Sequence, residues 1–304
     1  MIPATALAPA PPTESGLQAL LGLCRLHIVA IASLAALVFG WIFDGAFHPL
    51  PALLVGLDWF ILNLWNRLAD VAEDLRNGVP GAGFAARHHW SVGLLCAAAF
   101  GLSLALCRGL GGALVALRIL FQLGGFAYSF RILPGRTRLK DLFFVKNLSS
   151  GLLFLVTDLG YPLALRLGGA PRVPWLEVAA LAAFFLPFEL SYELIYDLRD
   201  VEGDRAEGIR TVPVARGERS PRRLIAALLA LSAVPLGLGY AAGILPFACV
   251  AMIAAPIQQA LLLRFPLRTK VSAAWAVRAT YLGAAQLASF VAWVSLGLPV
   301  GAPF

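Results

Sequence analysis

The chain has 304 residues, 60% of them hydrophobic and only 13% charged, with a mean hydropathy of +0.80. Soluble domains carry about 25% charged residues, so a water-soluble domain is excluded. Long apolar runs without alternation point to helices rather than a membrane barrel. The net charge of +7 fits basic loops beside a membrane, and the sequence carries no nucleic-acid module.

In chain order, residues 1–16 form a proline-rich tail with one acid and no Lys or Arg, read as disordered and not as a signal peptide. Residues 17–304 read as one transmembrane domain. Nine spans are expected, at about 17–43, 51–70, 89–107, 110–130, 141–163, 175–196, 222–241, 244–263 and 273–297. The loops after spans 2, 4, 6 and 8, with their flanks, hold 17 Lys and Arg, against 3 on the opposite side. That split predicts a cytoplasmic N-terminus and long loops on the cytoplasmic face. Cys24, Cys96, Cys107 and Cys249 lie in or beside apolar runs without C-x-x-C spacing and read as small core residues.

Two acidic clusters stand four spans apart. Asn66, Asp70 and Asp74 follow at i, i+4 and i+8 at the end of span 2. Asp197, Asp200 and Asp204 follow at i, i+3 and i+7 after span 6. On helices each set forms one stripe, and both stripes lie on the same side. This spacing hints at a parallel repeat of two four-helix halves around a central cavity. Like charges so close call for a cation, and hard ions such as Mg²⁺ prefer carboxylate oxygen and complete their shell with phosphates. The inferred ligand is a phosphorylated, membrane-soluble molecule, with a diphosphate leaving group fitting well.

Basic partners lie on the same side. Tyr128 and Arg131 close span 4, Arg136, Arg138 and Lys140 follow, and Lys146 and Asn147 open span 5. Arg136 and Arg138 read as positive-inside bias. Lys146, inside an apolar run, reads as facing a polar cavity. Arg25, Arg118 and Asp158 are further ions within spans, and His88 and His89 make a poor metal pair because adjacent helical residues diverge. Phe121, Phe126, Tyr128, Phe143, Phe144, Phe154, Phe184, Phe185 and Phe188 supply aromatic surface for a hydrophobic tunnel. Some of them could shield a carbocation.

These motifs resemble the UbiA-type intramembrane prenyltransferase superfamily. The second acidic motif, followed by GIRTVPV (Gly208 to Val214), matches best. Tyr128 to Arg131 resembles the Y-x-x-K element, and FFVKNL (Phe143 to Leu148) resembles the fifth helix of the family. The first motif departs from N-D-x-x-D-x-x-x-D, because Arg67 replaces the first acid and LRNGVPGAGF (Leu75 to Phe84) follows it. The resemblance implies an all-α fold of nine transmembrane helices and Mg²⁺-dependent transfer of a prenyl group from a polyprenyl diphosphate. The acceptor would be aromatic, a quinone precursor or a lipid. It implies catalytic Asp197, Asp200 and Asp204, with the metal on these and on Asp70 and Asp74. Diphosphate contacts fall to Asn66, Arg67, Tyr128, Arg131, Lys140 and Lys146. Arg67 would either pair with Asp70 or touch the diphosphate. A membrane terpene cyclase is the alternative, and a transporter is disfavoured because the carboxylates sit at helix ends. The expected setting is a bacterial inner membrane, with no protein partner implied.

Overall fold

A computed structural model describes residues 16–76, 79–143, 145–165, 174–206, 208–217, 219–264 and 271–298. The expected N-terminal tail, apart from Gly16, lies outside the described residues, as do Phe144, Arg166, Arg172, Arg268 and Lys270. A short helix, Gly16–Cys24, leads into α1 (Leu26–Asp44), which turns through Arg25 in the left-handed region. The remaining long helices are α2 (Pro49–Ala69), α3 (His89–Leu106), α4 (Gly112–Ser129), α5 (Val145–Leu155), α6 (Trp175–Ala206), α7 (Arg219–Ala241), α8 (Ala254–Arg264) and α9 (Ala273–Ser295). A π-helical turn, Val156–Gly160, extends α5 into Tyr161–Ala164.

The described helices overlap all nine expected segments. Among the described residues, six helical segments are long and apolar enough to cross a bilayer: α1, α3, α4, α6, α7 and Phe247–Arg264, which ends in α8. With many large apolar side chains facing outward, such as Leu94, Leu123 and Leu238, the chain is a multi-pass integral membrane protein. The fold is helical. α1 packs on α2, α2 on α4, α4 on α5, α5 on α6 and α6 on α7. α8 joins α7 to α9, and α9 returns to α1, so the helices close around an interior; α3 packs outside α2.

Two details differ from the expected elements. α2 ends at Ala69 and Asp70 leaves helical geometry (φ −111°, ψ 16°) before a short helix, Val71–Arg76. α6 runs ten residues beyond its expected end and carries the whole second motif on one continuous helix. The two stripes therefore arise in different ways, one across a helix break and one along an unbroken helix.

Aromatic packing fills the middle of the bundle. Trp59 stacks on Phe154 at 3.8 Å between ring centroids and meets Phe121 edge-on, while Phe39 meets Phe185 edge-on. An ionic network ties the first helices together. Arg118 donates to Asp58 through Nε (2.9 Å) and Nη2 (2.7 Å), and the Tyr161 hydroxyl (2.8 Å) and Gln122 Nε2 (2.7 Å) donate to the same carboxylate. Arg118 also donates to the Ser103 carbonyl at 3.0 Å. This places a fully satisfied carboxylate where α2, α3, α4 and the end of α5 meet, the arrangement a charge in a bilayer requires.

Candidate active site

The end of α2 builds one wall. Asn66 is buried and accepts a hydrogen bond from the Ser129 hydroxyl of α4. Asp70 receives Lys140 Nζ at 2.6 Å and the Arg138 guanidinium; both cations also reach Glu73, at 2.9 Å and 3.4 Å. Arg138 is held in place by Asp141, to which its Nε donates at 2.8 Å. Burial raises the Asp70 pKa from its ordinary value, against the opposing pull of Lys140. Burial works against the Arg138 charge, but Asp70, Asp141 and Glu73 outweigh it and hold the guanidinium protonated.

Arg67 is 2% exposed and pairs with Asp74 at 2.5 Å, so its carboxylate partner is Asp74 and not Asp70, the partner in one of its two expected roles. Its Nη2 donates to the Gly22 carbonyl at 3.0 Å and the Pro80 carbonyl at 3.3 Å. Close approach makes this possible: a Cβ on Gly22 would sit 2.5 Å from the Pro80 backbone, and one on Gly81 (φ 84°) would sit 2.4 Å from Leu23 N. The glycines thus let the N-terminal helix and the segment after the first motif close over Arg67.

The facing wall comes from α5 and α6. Lys146 Nζ lies 2.9 Å from Asp197 Oδ1 and 3.3 Å from Asp204 Oδ2, and Asn147 Nδ2 donates to Asp197 at 2.8 Å. Asp200 is bound by its neighbour Arg199 at 2.5 Å. One turn before Asp197, Glu193 accepts from the Ser150 hydroxyl at 2.7 Å.

These walls enclose a cavity of about 660 Å³. Asn66, Arg67, Asp70, Asp74, Tyr128, Lys140, Lys146, Asp197, Asp200 and Asp204 all line it. Arg131 does not; its side chain is exposed beyond the end of α4. Arg138, read in the sequence as loop charge, is instead 5% exposed and bound to Asp70. His88 and His89 are exposed outside the cavity, and Asp158 and Arg118 lie deeper in the bundle. A second, mostly apolar cavity of about 490 Å³ continues inward, lined by Phe39, Phe154, Phe184, Phe185 and Phe188 among others. Ile28, Phe154, Glu193 and Tyr196 line both. Of the remaining expected aromatics, Phe126 is exposed against Phe130 and Trp65, and Phe143 lies 5.9 Å from the Arg210 guanidinium.

The donor set suits a hard divalent ion only in part. Among the described residues, no three carboxylates, thiols or imidazoles gather as a metal cage. Mg²⁺ is usually held by one or two carboxylates plus water and substrate phosphate, and that is what the cavity offers. Asp197 and Asp204 already flank a single cationic point, the Lys146 ammonium.

The UbiA prenyltransferase family model matches residues 26–282. Digeranylgeranylglyceryl phosphate synthase of Pyrococcus abyssi (strain GE5 / Orsay) is 31% identical over 148 residues, 46% of this chain. The match spans about half of that curated relative's length, 48%. Among solved structures, a UbiA homolog from Archaeoglobus fulgidus bound to DMAPP and Mg²⁺ superposes with a TM-score of 0.68 at 16% identity, over 89% of this chain and 96% of that one. The apo UbiA homolog from Aeropyrum pernix K1 gives 0.64 at 19% identity, over 88% and 98%. At such identities the structural likeness establishes the fold, and the family match establishes descent. The chain belongs to the UbiA prenyltransferase family.

Proposed function

We propose that this family member transfers a prenyl group from a polyprenyl diphosphate to an acceptor within the membrane, in a Mg²⁺-dependent reaction. The acceptor is an aromatic ring, a quinone precursor or a lipid. The observation that carries this reading is the junction of two chambers. A charged cavity suits a diphosphate, and an apolar, aromatic one suits the isoprenoid chain attached to it. The DMAPP and Mg²⁺ bound by the Archaeoglobus fulgidus relative support the same assignment.

On this reading the diphosphate sits between the walls. Lys140, Lys146 and Arg67 face it, with Asn66 and Tyr128 as neutral hydrogen-bonding neighbours. Bound Mg²⁺, held by Asp70 and Asp74 on one wall and by Asp197, Asp200 and Asp204 on the other, would supply charge against the departing phosphate oxygens. The allylic C–O bond breaks and its electron pair stays with the diphosphate. The basic side chains stabilise that developing charge inside a buried site, where fixed charges act more strongly than in water. The aromatic faces of Trp59 and Phe154 at the base of the charged cavity exclude water and stabilise the allylic cation. The acceptor's nucleophile then forms the new bond, and the carboxylates of the second stripe assist its activation.

The basic bias of 17 against 3 supports a cytoplasmic motif face, and we assign the protein to a bacterial inner membrane. Arg131, exposed and outside the cavity wall, acts at most in attracting the substrate. The test is incubation of the purified chain in lipid nanodiscs with Mg²⁺ and labelled prenyl diphosphates of several lengths. Diphosphate release coupled to an alkylated acceptor is expected. A complete lack of release with every chain length and acceptor overturns the assignment, while a cyclic product formed without acceptor replaces transfer by cyclisation.

A further inference from the structure

The floor of the charged cavity holds a layer that the diphosphate does not need. Trp59 of α2 stacks on Phe154 of α5. One turn nearer the motif end stand Asn63 on α2 and Ser150 on α5, both lining the cavity. Ser150 donates to Glu193 of α6 at 2.7 Å, so Glu193 belongs to the same level. One turn further come Asn66, Lys146 and Asp197, where the cations begin. Asn63 is 2% exposed, and its amide nitrogen finds no hydrogen-bond partner among the described residues. A buried amide with no partner is unusual enough to call for a ligand.

The charge of this layer selects what the ligand can be. Glu193 presents a carboxylate, which repels a phosphate, and the layer's other groups are neutral. A free donor and a carboxylate acceptor lining one level of the same cavity complement a group that both accepts and donates one hydrogen bond. We propose that Asn63 and Glu193 form the acceptor subsite and that it takes a hydroxyl group. The Asn63 amide donates to the hydroxyl oxygen, and the hydroxyl hydrogen is donated to Glu193. This rests on the prenyl-transfer reading, and deepens it. The oxygen is held where the charged and apolar chambers join, beside the expected position of the reacting carbon. As the prenyl C–O bond breaks and its electron pair leaves with the diphosphate, an oxygen lone pair forms the new C–O bond. The hydroxyl proton passes to Glu193, and the product is an ether.

Calorimetry on the full chain in nanodiscs, with Mg²⁺ and inorganic diphosphate present, compares 1-naphthol with 1-methoxynaphthalene. The naphthol is expected to bind about tenfold or more tightly, because the ether has no hydrogen to give Glu193. N63L should weaken both probes by about tenfold, because both oxygens accept from the Asn63 amide, and wild type alone already tests the preference if the variant does not fold. In single turnovers with geranyl diphosphate, E193Q should slow ether formation about 100-fold or more while keeping naphthol affinity within about threefold. Equal binding of the two probes to wild type overturns the proposal, even if diphosphate is released. A naphthol preference without any diphosphate release supports the hydroxyl site and overturns the transferase reading instead.

Discussion

The two acidic stripes face one cavity but are neutralised differently. On the first, each buried acid has at least one cation: Asp74 has Arg67, and Asp70 has both Arg138 and Lys140, which it shares with Glu73. On the second, Asp197 and Asp204 share one ammonium, that of Lys146, and Asp200 uses its chain neighbour Arg199. Charge matching makes the first stripe a rigid wall, because separating any buried pair strands a charge. The second stripe keeps a surplus of carboxylate, so an added cation gains most there. The helices reflect the same contrast. The first stripe crosses a break at Asp70 and needs a loop to supply Arg138 and Lys140, while the second lies along one unbroken helix.

The largest test of this contrast is replacement of Asp197 and Asp204 together by Asn. Diphosphate release should fall by on the order of 10³, measured radiometrically, with the helical circular dichroism unchanged. Release at the wild-type rate would remove the second stripe from the reaction. Lys146→Met comes next. It leaves two buried carboxylates without their shared cation, a loss of about 3–5 kcal/mol. Added Mg²⁺ should raise the melting temperature of this variant more than that of wild type, since binding to the folded state stabilises it. An equal response in both would break the claimed asymmetry.

Asp58→Asn addresses stability apart from chemistry. It leaves Arg118 without its carboxylate between α2, α4 and α5, and should cost about 3 kcal/mol in thermal unfolding. Turnover per folded molecule should stay the same. Arg138→Ala should raise KM for the diphosphate about tenfold, because Asp70 then competes for Lys140. The smallest effect is expected from Arg131→Ala, with KM within about twofold and stability within about 0.5 kcal/mol, since the side chain is exposed.

Much of the site was legible because its parts are close in sequence. The spacings 66, 70, 74 and 197, 200, 204 place carboxylates on stripes whatever surrounds them. Lys146 stood out because a cation inside an apolar run needs a polar neighbourhood. Arg138 was hidden among loop arginines that the membrane side alone would explain; only folding brings it to Asp70, 68 positions away. Arg67 marked itself by its place in the motif, yet its true partner depended on the chain leaving the helix at Asp70 and closing over it through Gly22 and Gly81.

By itself the sequence determined a polytopic helical membrane protein and two acidic stripes on one side of it. Hydropathy and residue spacing act over one or two helical turns, and both are written directly in the chain. Tertiary structure alone decided the ion pairing across the cavity, the Asp58 network and the unpartnered amide of Asn63. Each of these depends on which distant helices meet at the same depth, and that is set by packing of the whole bundle.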